Sequence, residues 1–336
     1  MEEAPSLLAV LLGLVAGAAG VVYAGIVLAK SADVIATKTG LGGLWLGMVL
    51  LAFATSLPEL ATAAVTVLID APDLAAGNLF GSNMANMLIL AALNLVPGSA
   101  VFRRASFDQA LSATLAISLT AMAAGFVLLA TPLAIGRFGP GSFLLITTYL
   151  VGSRAILRHT TAGDGGGEEA APDDDGGPAW SLRKAAGIFL VGTVVVTVSA
   201  PVFGLAAEGA VELTGLTESF VGVIVLGVAT SLPEVVTSLA ALRIGAHDLA
   251  VGNLFGSNAI NMVMFVPLDL LTPGSILAAV DPVHAFVGLA SILMMGLALG
   301  AIALRSRRPL SLLEPSSGLI ILTYIVAVVI VMGWGG

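Results

Sequence analysis

The sequence predicts an all-α membrane protein of ten transmembrane helices, built as two inverted five-helix repeats that each contain a proline-broken helix. Composition, the spacing of apolar segments and an internal duplication predict this fold. Of the 336 residues, 58% are hydrophobic and 10% charged, and the mean hydropathy is +1.05. Because soluble domains carry about 25% charged residues, we expect the chain to lie in a membrane.

Apolar segments of the length that crosses a bilayer recur along the chain. A spanning helix needs about 20 apolar residues, whereas a β-barrel would show alternating segments of about ten residues. Short turns rich in Gly, Pro or charge separate ten such segments, which we place at about 6–30, 41–70, 73–97, 107–131, 140–158, 183–207, 217–243, 248–271, 280–304 and 315–334.

The second half of the chain repeats the first after 175 residues. The stretch "ATSLPELATAAVTVLIDAPDLAAGNLFGSNMAN" (54–86) aligns without a gap to "ATSLPEVVTSLAALRIGAHDLAVGNLFGSNAIN" (229–261), with 20 of 33 positions identical. Five crossings per copy give the copies opposite orientations, an arrangement typical of secondary transporters. We therefore predict a first repeat at 1–160, an acidic, flexible cytoplasmic linker at 161–182 and a second repeat at 183–336.

Basic residues predict the orientation. With ten crossings and an external N-terminus, twelve of the thirteen Lys and Arg residues fall on the cytoplasmic side and Arg137 alone falls outside, as the positive-inside rule requires. We expect a multi-pass protein of the cell (inner) membrane with both termini outside. The chain has no cysteine, which excludes disulfides and thiolate metal sites.

A proline and a glutamate stand inside an apolar segment of each repeat. Pro58 and Pro233 lack an N–H, so each frees the carbonyl four residues before it, and Glu59 and Glu234 follow at once. A carboxylate in hydrocarbon is costly and is kept where it faces a cavity or a cation. Neighbouring Thr, Ser and Asn residues complete an all-oxygen set, which suits hard cations rather than soft metals.

The repeated "GNLFGSN" (77–83 and 252–258) carries glycines four residues apart, a spacing that lets helices approach closely. We interpret this motif mainly as packing, with Ser82 and Ser257 as its candidate ligands. Asn86 and Asn261 each lie 27 residues after a glutamate, which favours a role in the site over simple contact between helices.

The paired motifs "TSLPE…GNLFGSN..N" resemble those of the cation/calcium exchanger superfamily, specifically the compact prokaryotic sodium/calcium exchangers with ten helices. The resemblance extends over essentially the whole transmembrane chain. It implies that one Ca²⁺ competes with several Na⁺ at a central site, and that the last helices of each half form a scaffold against which a gating pair moves. The matching positions are Thr55, Ser56, Glu59, Ser82, Asn86, Thr230, Ser231, Glu234, Ser257 and Asn261.

The resemblance implies an antiporter that uses Na⁺ to extrude Ca²⁺ by alternating access. It does not imply an enzyme: we expect no cofactor beyond the transported Ca²⁺ and Na⁺, no nucleic-acid partner, and a monomer in the lipid bilayer. Some archaeal relatives carry an aspartate where Asn261 stands, so this site has two acids rather than three. Coupling to H⁺ instead of Na⁺, or another divalent substrate such as Mg²⁺, therefore stays open.

Two further interpretations stay open from the residues. A channel or an ion-sensing subunit is the competing class, although neither needs two alternately accessible halves. Asn94 and Asp269 occupy equivalent positions eight residues beyond Asn86 and Asn261. They are interpreted as polar groups near helix ends, or alternatively as an accessory cation or proton site.

Overall fold

The computed structural model describes residues 6–131, 133–162, 180–214, 230–304 and 315–334. Within these ranges the regular structure is helical, apart from one isolated bridge between Ile135 and Phe138. The first half comprises α1 (Leu7–Thr39), α2 (Gly43–Trp45), a π-helix, π1 (Leu46–Leu51), α3 (Ala52–Thr55), α4 (Leu57–Leu68), α5 (Pro72–Leu95), α6 (Val101–Arg104), α7 (Gln109–Leu129) and α8 (Pro140–Ala162).

The helices of the second half recur at the 175-residue offset. They are α9 (Leu182–Thr214), α10 (Leu232–Arg243), α11 (His247–Val263), α12 (Phe265–Leu268), α13 (Ile276–Ala279), α14 (Val283–Leu304) and α15 (Pro315–Trp334). The bounds of α1 and α9, and of α4 and α10, correspond residue for residue. Equal spacing of apolar runs, prolines and glycines thus gives equal helices in both halves.

The described residues account for fewer than the ten predicted spans. Among the described residues, seven helices are long and apolar enough to cross a membrane, and the bent pair Gly43–Thr55 with Leu57–Leu68 could be an eighth. The more polar α5 has 24 residues but is not among them. Residues 215–229, in the seventh predicted segment, and 163–179, in the predicted linker, lie outside the described ranges, so the ten-helix count stays a prediction.

The predicted break at the first proline is present. The two helical pieces around Ser56 are bent by 43°, because Pro58 cannot donate to the carbonyl four residues back. Ser56 has φ −90° and ψ 2°, and the equivalent Ser231 has φ −86° and ψ 5°. The wider π turns just before the first break are a feature often found at functional sites.

A local irregularity in the second repeat was not expected. In the segment predicted at 248–271 it lies at Met264, between α11 and α12, where the backbone stays helical (φ −63°, ψ −21°) and residues 247–268 form one apolar span; the counterpart α5 has no such irregularity. The difference follows from Pro267, which cannot donate to the carbonyl of Val263; Ala92 stands at the equivalent position of α5.

The equivalent long helices α1 and α9 pack against each other in antiparallel directions. Glycines of α1 make the close approach possible: a Cβ on Gly13 would lie 2.7 Å from the Cβ of Ala206, and one on Gly17 would lie 2.7 Å from the backbone of Phe203. Such small residues let helices approach in a membrane, where dispersion contacts replace the hydrophobic effect. The close contact continues one turn further along α1, where a Cβ on Gly20 would meet the side chain of Ser199.

Equivalent carboxylates tie each helix that carries a polar motif to the start of a helix in the opposite repeat. Asp73, in the first turn of α5, accepts from the backbone N–H of Asp281 (2.7 Å) and lies 3.1 Å from Nε2 of His284. Asp248, in the first turn of α11, accepts from the N–H of Ser106 (2.8 Å) and from Nε2 of Gln109 (3.1 Å). Both contacts fix where α5 and α11 begin.

Candidate cation-binding site

The broken helices bring the candidate ligands into the interior. All ten predicted site residues are buried, and both glutamates are 1% exposed. Glu59 lies in the first turn of α4 and Glu234 in the first turn of α10, where the helix N-terminus favours negative charge. The helix that begins at this point in each repeat therefore provides a setting that favours a carboxylate, and in the first repeat it also follows the bend.

Side chains of the first repeat contact the carboxylate of the second. The hydroxyl of Ser56 donates to Oε1 of Glu234 (3.5 Å), and the hydroxyl of Ser257 reaches the same oxygen (3.4 Å). Thr55 Oγ1 lies 3.4 Å from Ser257 Oγ and donates to Oδ1 of Asn253 (3.3 Å).

The halves are not identical in their contacts. Asn253 donates to Thr237 Oγ1 and Ser238 Oγ (3.1 and 3.2 Å), whereas its counterpart Asn78 donates to the backbone carbonyl of Glu59 (3.2 Å). Ser82 is buried but makes no hydrogen bond to another described residue, unlike its counterpart Ser257. Hydrogen bonds therefore connect Thr55, Ser56, Glu234 and Ser257, whereas Ser82 takes no part in this network.

Several buried oxygens in the site lack a hydrogen-bond partner among the described residues. They are Oε2 of Glu59 and of Glu234, Oδ1 of Asn86 and of Asn261, and Oγ of Ser231. Four of these five atoms form two pairs related by the repeat. Because an unsatisfied buried acceptor costs about 1–3 kcal/mol, such a set is expected where a cation or proton completes it.

Among the described residues, no basic side chain forms an ion pair with either glutamate. The ion pairs among the described residues join His159 to Asp108 and His284 to Asp73, and neither involves Glu59 or Glu234. Within the same residues no three His, Cys, Asp or Glu side chains form a cluster able to hold a metal. The site therefore consists of two carboxylates, hydroxyls and amides.

Asn83 and Asn258 are the polar residues that our sequence interpretation missed. Both are completely buried; Asn86 donates to Oδ1 of Asn258 (2.9 Å), and Asn261 donates to Oδ1 of Asn83 (3.0 Å). The signal is their identity in both copies of "GNLFGSN", a motif that the sequence analysis interprets mainly as packing. A repeated Asn in a membrane helix needs a partner and could have been considered on that ground.

Asn94 and Asp269 serve helix ends, as the first of the two interpretations expected. Asp269 accepts from the N–H of Gly139 (2.8 Å), the hydroxyl of Ser142 (2.5 Å) and the N–H of Ile276 (2.8 Å). Asn94 accepts from the N–H of Phe102 (3.0 Å) and donates to Ser317 (3.1 Å). Since these donors occupy both oxygens of Asp269, its carboxylate acts as a structural acceptor.

Comparison with protein families identifies the group to which the chain belongs. A family model described as "Sodium/calcium exchanger protein" matches residues 9–153 and 184–333, which is most of the chain. The chain belongs to this exchanger family. The two matched segments each contain one copy of the glutamate and asparagine motifs.

Relatives and solved structures extend the comparison. The chain is 28% identical over 273 residues to "Inner membrane protein YrbG" of Escherichia coli, a match that covers 78% of this chain and 80% of the relative. It is 28% identical over 280 residues to "Putative antiporter CaxA" of Alkalimonas amylolytica, covering 80% and 84%. A structure of the sodium-calcium exchanger NCX_Mj shares the fold, with a TM-score of 0.71, 18% identity and coverage of 96% and 99%.

Proposed function

We propose that the protein is a secondary antiporter that exchanges Na⁺ for Ca²⁺ by alternating access and extrudes Ca²⁺ from the cell. One observation carries the proposal: Glu59 and Glu234 are buried, come from opposite repeats and have no basic partner among the described residues. A charge at the centre of a membrane helix costs about 2.5–3.5 kcal/mol even on insertion scales. Binding a cation offsets this cost.

The chemistry of the site favours a hard cation. Two carboxylates balance one dication or two monocations, and the remaining groups are neutral oxygens. Ca²⁺ takes six to eight oxygen ligands, and this number is available from the proposed ligands Thr55, Ser56, Glu59, Ser82, Asn86, Thr230, Ser231, Glu234, Ser257 and Asn261. The neutral hydroxyls and amides favour Na⁺ as the coupling ion, because proton coupling would need only the carboxylates.

Exchange requires that the site open to one side at a time. The antiparallel pair α1 and α9 supports such a motion, since equivalent helices in opposite orientation can make the same contacts in either direction. Gly13, Gly17 and Gly20 of α1 let the two helices lie in close contact. We place the protein in the inner membrane with ten crossings and both termini outside, in line with the positive-inside distribution and with the name of the relative YrbG.

Coupling to H⁺ is the alternative, and one feature of the site favours it. The position equivalent to Asn86 carries a second amide, Asn261, so the site has two acids. The same unpaired carboxylate oxygens that suit Na⁺ can take protons. A site that carries two protons inward for each Ca²⁺ carried outward would be electrically neutral in both forms.

Flux measurements distinguish the two couplings. Purified protein in liposomes loaded with Na⁺ should take up ⁴⁵Ca²⁺ after dilution into Na⁺-free buffer, and should do so with the pH gradient collapsed by an ionophore. External Na⁺ should inhibit with a Hill coefficient above one, because several monocations displace one dication. Uptake that follows an imposed pH gradient and ignores Na⁺ would assign the protein to the proton-coupled class.

A further inference from the structure

Four buried asparagines lie where α5 of the first repeat meets α11 of the second. The four hydrogen bonds that join these asparagines to one another all cross between the repeats. Asn86 and Asn261 donate from Nδ2 to Oδ1 of Asn258 and of Asn83, at 2.9 and 3.0 Å. Asn83 and Asn258 each donate from Nδ2 to the other's backbone carbonyl, at 3.2 and 3.3 Å. These residues, Asn83, Asn86, Asn258 and Asn261, are called the asparagine cluster.

The orientation of each amide in the asparagine cluster follows from its partner. A backbone carbonyl can only accept, so Nδ2 of Asn83 must face the carbonyl of Asn258, and its Oδ1 must then face residue 261. The side chain at 261 must therefore donate. The same argument, applied through the repeat, requires that residue 86 donate to Oδ1 of Asn258.

This orientation leaves the side-chain oxygens of Asn86 and Asn261 without a hydrogen-bond partner among the described residues. When Asn86 and Asn261 direct their NH₂ groups at the opposite repeat, their Oδ1 atoms point away from those partners. Neither Oδ1 atom has a hydrogen-bond partner among the described residues, although both are buried. These are carbonyl oxygens of the type that binds Ca²⁺ or Na⁺.

We propose that Asn83 and Asn258 are positioning residues that present the Oδ1 atoms of Asn86 and Asn261 to the cation, each repeat orienting the ligand of the other. The inference rests on the proposed cation site. It also explains the charge of the site: an ionised carboxylate at 86 or 261 would place its oxygen against an Oδ1 acceptor. The asparagine cluster thus keeps two ligands neutral and limits the site to the two charges of Glu59 and Glu234.

The competing explanation is that these bonds only hold α5 against α11. Interhelical amide bonds average about 0.6 kcal/mol in membrane proteins, so this role predicts lower stability with unchanged ion affinity. A positioning role predicts weaker ion binding, since removing groups that orient metal ligands typically lowers metal affinity about 10–100-fold.

The experiment compares Asn83→Ala and Asn258→Ala with the wild-type protein in two assays. The first is the Ca²⁺ concentration for half-maximal uptake in Na⁺-loaded liposomes. The second is the rise in unfolding temperature that Ca²⁺ produces in detergent. We expect the half-maximal concentration to rise about tenfold or more and the Ca²⁺-induced rise to shrink in proportion.

Asn94→Ala is the matched control. Asn94 is also a buried asparagine on α5, and its side-chain amide donates a hydrogen bond to Ser317 of another helix. This substitution should lower the unfolding temperature without Ca²⁺ and leave Ca²⁺ affinity unchanged. If Asn83→Ala does not yield folded protein, Asn83→Leu, which keeps a similar volume but removes the acceptor for Nδ2 of Asn261, takes its place with the same expected loss of affinity.

The outcomes separate this inference from the proposed function. Variants at Asn83 and Asn258 that lose stability as Asn94→Ala does, but keep Ca²⁺ affinity within about twofold of wild type, would overturn the positioning role. Wild-type protein that neither takes up Ca²⁺ nor is stabilised by it would instead refute the cation site itself. Reduced affinity in both variants with normal affinity in the control supports the inference.

Discussion

At the scale of single residues, the buried acids differ in how their oxygens are used. Both oxygens of Asp269 accept hydrogen bonds from nearby backbone or hydroxyl groups. Glu59 and Glu234 each retain an oxygen without a partner among the described residues. Burial alone would rank the three acids together, whereas hydrogen bonding separates a structural carboxylate from two candidate ligands.

Replacing either glutamate by glutamine should abolish Ca²⁺ transport. Glu59→Gln or Glu234→Gln keeps the shape but removes one of the two charges that balance the dication, so ⁴⁵Ca²⁺ uptake into Na⁺-loaded liposomes should fall to background. The control is Asp70→Asn, an exposed acid outside the site whose φ of 63° suits Asn. Wild-type transport in either glutamine variant would remove that residue from the site.

Asp269→Asn should affect stability and spare ion binding. An amide in place of the carboxylate turns an NH₂ group toward a donor such as the N–H of Ile276 or that of Gly139, and an unsatisfied buried donor costs about 1–3 kcal/mol. We expect a lower unfolding temperature in detergent and an unchanged Ca²⁺ concentration for half-maximal uptake. A large loss of Ca²⁺ affinity in folded protein would reassign Asp269 to an accessory cation site.

At the scale of helices, the glycines of α11 set the distance between the site's two halves. A Cβ on Gly256 would lie 2.5 Å from the Cα of Met48 in π1, and one on Gly252 would lie 2.9 Å from the carbonyl of Leu44. This approach brings Ser257 within 3.4 Å of Thr55. The glycine spacing therefore serves packing, as the sequence indicated, and packing in turn places the polar groups.

Gly256→Ala should separate α11 from π1. The methyl group meets backbone atoms that cannot rotate away, and such overpacking typically costs about 1–3 kcal/mol. We expect a lower yield of monodisperse protein and reduced Ca²⁺ uptake in what remains. Gly125→Ala is the control, because Gly125 is exposed on α7 and its Cβ would meet no described atom within 4 Å; equal loss in both variants would contradict the packing role.

At the scale of the whole molecule, the duplication shows in the relative direction of equivalent helices as well as in the amino-acid sequence. The equivalent helices α1 and α9 run antiparallel, and the bonds of Asn83 and Asn258 are reciprocal across the two halves. Reciprocal contacts of this kind are expected when two copies of one unit are inserted in opposite orientations.

Cysteine labelling tests the predicted orientation on a background without native cysteine. Cysteines at Phe107 and Ser181, both exposed, should react with an impermeant maleimide only from the cytoplasmic side, and one at Leu133, which is 70% exposed, only from outside. The unsubstituted protein should not react. Labelling of Phe107→Cys and Leu133→Cys from the same side would contradict a single crossing by α7 between them.

The sequence by itself determined the helical membrane class, the 175-residue repeat and the break beside Pro58. It also selected ten polar residues that are all buried; their role as ligands stays a prediction. These features could be derived because hydropathy, proline chemistry and an internal repeat act through neighbouring residues. The local irregularity at Met264 could have been predicted from Pro267 in the same way, but was not.

Only the tertiary structure decided which polar groups remain available to an ion. The letters of "GNLFGSN" are the same in both copies, but they do not show that Asn83 faces Asn261 while Ser82 makes no bond to a described residue. The structure also shows that donors from other segments occupy both oxygens of Asp269. Hydrogen bonds such as those of the asparagine cluster join groups more than 100 residues apart in sequence, and only the packing of one repeat against the other brings those groups together.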